Sequence, residues 1–211
     1  MKSFKIPEAT IIRLSIYSRY LNRLIEQGIT TISSSDIAEK TGATSAQVRK
    51  DLAYFGEFGT RGVGYDVESL YDSIAEILGV DKEWKLIIIG AGKLGLALSM
   101  YEGFRARGFK NVGIFDVDPI KIGKKAQGIK IMHLDQLEDI CKEQSPDIAV
   151  IAVPGEHAQD IVNRVVDAGV RSILNFAPRV LTTPLNVQIR NVDFATNLEL
   201  LTYNMASEDR K

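Results

Sequence analysis

Trp84-Lys85-Leu86-Ile87-Ile88-Ile89-Gly90-Ala91-Gly92-Lys93-Leu94-Gly95 reads as a buried strand that runs into a glycine turn opening a helix. An apolar run with three successive isoleucines suits a strand covered on both faces. Gly90 permits the tight turn, and Gly92 lets backbone approach a diphosphate. Gly95 lets the helix pack close to the sheet, its N-terminus toward the anion. Ala91, Lys93 and Leu94 complete the phosphate-facing backbone. The helix is expected from Leu94 to Arg107, followed by a second strand, Val112 to Phe115.

Asp116 stands at the end of that second strand, 21 residues past Gly95. An acid there accepts the hydroxyls of an adenosine ribose, and its charge repels a 2′-phosphate. No arginine follows in Val117-Asp118-Pro119, so NAD(H) is expected over NADP(H), with Asp118 either starting a turn at Pro119 or sharing the role of Asp116. A glycine-rich turn without a ligand is the plainer alternative. The strand, helix, second strand and acid in succession count against it.

Downstream, strands and helices keep alternating. Asp147 to Val153 is a continuous apolar run stopped by Pro154, Glu156 to Ala168 has helical spacing, and Ser172 to Asn175 is another strand. The pattern implies an α/β fold, a doubly wound parallel sheet of Rossmann type. Ligands lie at the carboxyl ends of such strands, which brings Pro154 and Asn175-Phe176-Ala177-Pro178 toward the nicotinamide half.

About 80 residues precede this module. Pro7 opens a helix carrying Ile11, Leu14, Tyr17, Leu21, Leu24 and Ile25, which ends near Gly28. A second helix, Asp36 to Thr41, is expected with Ser35 as N-cap, then a left-handed turn at Gly42. A third, Ser45 to Phe55, opens with Thr44 and Gln47 as a capping-box pair. Two short helices around one glycine, with small Ala38 and apolar Val48 at the crossing, form a helix-turn-helix pattern. Ser45, Gln47, Arg49, Lys50 and Tyr54 then share the outer face, a set of donors suited to bases and phosphates. The glycine-spaced stretch Gly56 to Tyr65 reads as a β-hairpin wing with Arg61 near its tip. A three-helix packing domain with a solvated basic face is the alternative, and the wing weighs against it. The resulting division is 1–80 winged helix, 81–196 nucleotide domain and 197–211 C-terminal helix.

Composition bounds the function. Of 211 residues 45% are hydrophobic and 25% charged, the balance of a globular protein with a real core. Residues 1–65 hold nine basic and six acidic side chains, so the front end is mildly basic within a chain of net charge −1. One cysteine, Cys141, and two histidines, His133 and His157, exclude a disulfide framework and a zinc cluster. No long apolar run or signal pattern is present, so no membrane partner is expected and the default compartment is cytoplasmic. No catalytic constellation stands out. His133 and His157 are the only imidazoles, and surface or capping roles suit both. The tail, with Leu198, Leu200, Leu201 and Tyr203, either covers the domain's own edge or docks on a second copy.

Several stretches carry a resemblance. They are Ser45-Ala46-Gln47-Val48-Arg49-Lys50-Asp51-Leu52 with Tyr54-Phe55-Gly56, Arg61-Gly62-Val63-Gly64-Tyr65, Phe115-Asp116-Val117-Asp118-Pro119, Asn175-Phe176-Ala177-Pro178 and Asn191-Val192-Asp193-Phe194. In that order the chain resembles the Rex family of bacterial redox-sensing transcriptional repressors. The resemblance implies a homodimer with a domain-swapped C-terminal helix, bound to palindromic double-stranded operator DNA. NADH releases it, NAD+ competes, and the genes controlled serve fermentation and NADH reoxidation. It also implies coupling contacts at Arg19, Tyr101 and Asp193, with Tyr101 near the cofactor. Periodicity alone makes Tyr101 a core aromatic and Arg19 a solvated helix residue. An apolar pocket suits neutral dihydronicotinamide better than the oxidised cation, which costs more to desolvate; Phe176 and Phe194 are its candidates. The rivals are a small NAD-dependent oxidoreductase with a helical front domain and a Rossmann module for another adenine ligand such as coenzyme A.

Overall fold

A computed structural model describes residues 6–60 and 62–208, in two compact units, Met1–Lys82 and Glu83–Lys211. Arg61, the expected wing tip, lies outside the described residues, as does the end of the expected C-terminal helix beyond residue 208.

In the first unit, α1 (Glu8–Glu26) buries Leu14, Tyr17, Leu21 and Leu24, one stripe at helical spacing. α2 (Ser34–Thr41) and α3 (Ser45–Ala53) follow around Gly42, whose φ of +73° is the left-handed turn. Ile37, Ala38, Val48 and Leu52 are all buried at the crossing. The cap of α2 is Ser33, not Ser35. Ser33 accepts from the Asp36 N–H, and Asp36 accepts from the Ser33 N–H at 3.1 Å, a closed capping box. Among three consecutive serines, Asp36 selects the one three residues before it. At α3 the box is only half made. Thr44 Oγ1 accepts from the Gln47 N–H at 3.1 Å, but the Gln47 side chain is engaged elsewhere.

Among the described residues of the wing stretch, Thr60 pairs antiparallel with Gly64 in an isolated bridge. The ribbon continues differently: β1 (Thr31–Ile32) pairs antiparallel with β2 (Tyr65–Asp66). Gly64 has φ +111°, and a Cβ there would sit 2.5 Å from the Ile32 carbonyl oxygen, so glycine is what lets the ribbon close. α4 (Val67–Leu78), capped by Asp66, buries Val67, Leu70, Ile74 and Ala75 in the same unit.

The second unit begins at β3 (Trp84–Ile89), whose last four residues are buried. The expected helix over 94–107 is two pieces, α5 (Lys93–Ser99) and α6 (Glu102–Arg105). Ser99 turns its hydroxyl back to the Leu96 carbonyl at 2.7 Å where the first piece ends, and Tyr101 adopts extended backbone before the second. Then come β4 (Phe109–Asp116), β5 (Lys125–Ala126), β6 (Ile129–His133), α7 (Leu137–Gln144) and β7 (Ile148–Ile151). The chain continues with α8 (Gly155–Asp167), β8 (Ser172–Asn175), β9 (Gln188–Asn191) and α9 (Phe194–Glu208). Sheet order is β5-β6-β4-β3-β7-β8-β9, parallel except for β5. Strand order reverses between β3 and β7, so a ligand crevice opens at their carboxyl ends.

Helix α9 begins at Phe194, three residues ahead of the expected boundary, and covers no edge. Phe194, Leu198, Leu201 and Met205, spaced at four, three and four residues, are 59–66% exposed, with Leu200 and Tyr203 exposed beside them.

Candidate functional site

The three glycines of the turn do three different things. Gly90 has φ +102°, and a Cβ there would collide with the Ala152 carbonyl at the end of the neighbouring strand. A Cβ on Gly95 would collide with the Gly90 carbonyl, so that glycine brings α5 against the turn. At Gly92 a Cβ would meet nothing within 4 Å, which leaves backbone bordering open space. That space is a cavity of about 640 Å³ lined by Gly90, Gly92, Asp116, Val117, Lys121, Leu134, Pro154, His157 and Arg164, among others. The volume and apolar walls fit a nucleotide. Ala91 is buried, Leu94 half-buried and Lys93 exposed.

Asp116 ends β4 in this wall. Its Oδ2 accepts from the Ala91 N–H at 2.7 Å and from Lys121 Nζ at 3.1 Å, and its Oδ1 from the Asp118 N–H at 2.9 Å. Burial pushes its pKa up, but the Asp118 amide, Lys121 and the Ala91 amide outweigh it and hold the carboxylate below its ordinary value. Lys121 lies 3.5 Å from Asp118 as well. No arginine directly follows Asp116; the cation paired with it is Lys121, five residues on. A turn in which the Lys121 and Ile122 N–H groups donate to the Asp118 carbonyl (3.0 and 3.2 Å) carries it back to the strand end.

Asn175 holds together the segment that the sequence places toward the nicotinamide half. Wholly buried, it donates from Nδ2 to the Ala177 carbonyl (3.1 Å) and to Asn191 Oδ1 (2.9 Å). It also accepts the Ala177 N–H (2.9 Å). One side chain thus ties the loop after β8 to the end of β9. Phe176 in that loop meets Phe194 with ring centroids 5.9 Å apart. Asp193 caps α9, accepting the Ala195 N–H at 2.8 Å.

Tyr101 is not a core residue: it is 54% exposed, edge-on to Phe104 at 5.2 Å. It lines a separate cavity of about 190 Å³ rather than the one beside Asp116, and a Cβ on Gly103 would collide with its ring. Arg19 is exposed on α1 in the other unit.

On α3, Arg49 and Lys50 are exposed, Tyr54 is 37% exposed, and Ser45 is half-buried. Arg49 donates to Ser34 Oγ at 2.9 Å and lines a groove between α3 and the wing stretch. Gln47 turns inward: its Nε2 donates to Asp51 at 2.8 Å. That bond withdraws it from the outer face assigned to it from the sequence. Asp51 is wholly buried and also accepts from Arg13 Nε and Nη2 (2.6 Å each), Tyr17 Oη (3.0 Å) and Thr10 Oγ1 (3.1 Å). This cluster locks α3 to α1.

The two imidazoles are placed apart, His133 at a turn and His157 in the cavity wall. His133 Nδ1 accepts the Asp135 N–H at 3.2 Å and caps a turn, while His157 is exposed beside Glu156. Cys141 is buried. Among the described residues no group of His, Cys, Asp and Glu is arranged to hold a metal, and no helix is long and apolar enough to cross a membrane.

Residues 81–179 match a family model described as "CoA binding domain", and residues 5–53 one described as "Putative DNA-binding protein N-terminus". The chain is 58% identical over 205 residues to "Redox-sensing transcriptional repressor Rex" of Carboxydothermus hydrogenoformans, spanning 97% of this chain and 99% of that one. It is 55% identical to the protein of the same name from Desulfitobacterium hafniense, over 98% and 99% of the two chains. Among solved structures it is similar to RSP in complex with β-NAD+ and operator DNA, with a TM-score of 0.91 at 39% identity over 97% of this chain and 94% of that one. RSP in complex with β-NADH gives 0.86 at 37% identity, over 98% and 97%.

Proposed function

Because this chain belongs to the Rex family of redox-sensing transcriptional repressors, we propose that it binds operator DNA and is released when NADH fills the cavity beside its glycine turn. The observation that carries this reading is the likeness, over nearly the whole chain, to a relative solved with both NAD+ and operator DNA. The chain is a regulator and not an enzyme. The coenzyme A alternative loses to the relative's nicotinamide complexes and to Asp116, an ionised acid at the end of the second parallel strand.

The DNA-facing residues are Arg49, Lys50 and Tyr54, with Ser45 at the start of α3 and Arg61 of the wing; Gln47 acts by fixing the helix. The dinucleotide lies along Gly90 to Gly95 with its adenosine ribose at Asp116. Its nicotinamide lies at the carboxyl ends of β7 and β8, near Pro154 and Phe176, with Phe194 beside them. An apolar pocket that excludes water favours the neutral reduced ring over the oxidised cation, which costs more to desolvate. A second copy covers the apolar stripe of α9, exchanging that helix in a homodimer whose symmetry matches a palindromic operator.

Since Asn175 joins the Phe176 loop to the strand leading into Asp193 and α9, the ring's oxidation state reaches the dimer contact through one buried side chain and the strand it ties down. Arg19, Tyr101 and Asp193 relay it onward. The protein works in the cytoplasm, and its targets are genes of fermentation and NADH reoxidation. The test is operator binding measured against the NADH:NAD+ ratio at fixed total nucleotide. Release that rises with the ratio supports the reading; indifference to it rejects the sensor.

A further inference from the structure

Asp116 has fewer free acceptor sites than a ribose-binding acid needs. A carboxylate offers about four lone-pair directions. Ala91, Lys121 and Asp118 take three of them. One remains, enough for a single ribose hydroxyl. The same geometry places a cation in the wall, where NADP-binding sites of this fold put an arginine. Lys121 Nζ lies 3.1 Å from Asp116 and 3.5 Å from Asp118, and Gly90, Gly92, Asp116, Asp118 and Lys121 all line one cavity. Asp118 is itself held, accepting the Ile120 N–H at 2.9 Å.

We propose that Lys121 is a specificity-determining residue of this site. Shared between two carboxylates, it leaves the ribose pocket with one negative charge in excess, and a 2′-phosphate is turned away. Preference for the unphosphorylated ribose therefore resides in the arrangement of Asp116, Asp118 and Lys121 and not in Asp116 alone. When Asp116 loses its charge, the excess negative charge is gone, and the ammonium, left with Asp118 alone, becomes a partner for the phosphate. The proposal rests on the dinucleotide reading above.

The experiment is calorimetric titration of the full-length protein with NADH and with NADPH, in four forms: unmodified, Asp116→Asn, Lys121→Met, and the two combined. The unmodified protein should prefer NADH. Asp116→Asn should gain NADPH affinity by about tenfold to a hundredfold, the worth of one charge-assisted hydrogen bond. The double variant should lose that gain, and Lys121→Met alone should acquire no NADPH binding. NADPH binding to Asp116→Asn should weaken with salt more steeply than NADH binding. A gain that survives in the double variant overturns the role of Lys121. If the unmodified protein binds neither dinucleotide, the cofactor reading falls instead, and the inference with it. Asp116→Ser, which also removes the charge, replaces Asp116→Asn should that variant not fold, and its gain must likewise vanish with Lys121→Met.

Discussion

Replacing Asp51 with alanine should unfold the first unit before the second. The carboxylate is wholly buried and accepts five hydrogen bonds from Thr10, Arg13, Tyr17 and Gln47. Removing it strands a guanidinium that is only 27% exposed and a buried tyrosine hydroxyl. Breaking a buried pair in this one-sided way costs about 3–5 kcal/mol, a large share of the roughly 5–15 kcal/mol that holds a domain. Removing Arg13 as well should return part of the loss, since the stranded charge goes with it. The chain's one tryptophan, Trp84, lies in the second unit. In a urea titration, helical circular dichroism should therefore fall at lower denaturant than Trp84 fluorescence responds. A shift in the first transition worth less than about 1 kcal/mol would refute the idea that this cluster locks α3.

The pH dependence has a definite sign. Burial raises the Asp51 pKa, but hydrogen bonds from Arg13, Gln47, Tyr17 and Thr10 outweigh it, and the folded value lies below the ordinary one. The stabilisation is thus complete above about pH 4 and is lost as pH falls through the folded value. Tyr17 runs the other way. Burial, then its bond to Asp51, raises its pKa, so its contribution holds below about pH 10 and is lost in stronger alkali. Asp51→Ala should remove the acid limb of the first unit's stability profile and shrink the alkaline one, whose first cause, the burial of Tyr17, stays in place.

Lys50 has no side-chain partner among the described residues, so Lys50→Ala should weaken all DNA alike and lower the salt slope by about 0.9 for each protomer of the dimer, measured by fluorescence anisotropy. Arg49→Ala, if Arg49 reads a base, should cost roughly 1–3 kcal/mol and relax specificity at one operator position. Gly92→Val should abolish NADH and NAD+ binding by calorimetry yet leave the urea midpoint nearly unchanged, because a Cβ there meets no protein atom. Asp193→Ala should bind NADH but respond poorly on operator DNA. Asp193→Asn keeps a good helix cap, so normal release by that variant would assign Asp193 to capping and not to a charged relay.

Elements with strong local causes were legible from the sequence. The β3 run, the left-handed Gly42 and the acid at the end of β4 each declare themselves within a few residues. What escaped depended on contacts distant in sequence or on exposure. β9 is mostly exposed and has no apolar run to betray it. Gln47 and Asp51 are four apart on one helix, but only the packing of α1 shows that Asp51 faces inward and draws Gln47 with it. Lys121 reaches Asp116 through a turn whose return could not be read from spacing. The three serines before Asp36 were resolvable, since the acid three residues past Ser33 closes its cap.

Helix α9 has a consequence for dosage. Fifteen residues form only a marginal helix in water unless something packs on them, and every described side chain of this one from Phe194 to Met205 is exposed within its own chain. If a second copy supplies the packing, ordering the helix and joining the two chains are one equilibrium, governed by mass action. Thermal midpoints should then climb with protein concentration. A cell that makes less repressor would weaken both the fold of that helix and the coupling that runs through it, so copy number becomes an input to the switch alongside the nucleotide ratio.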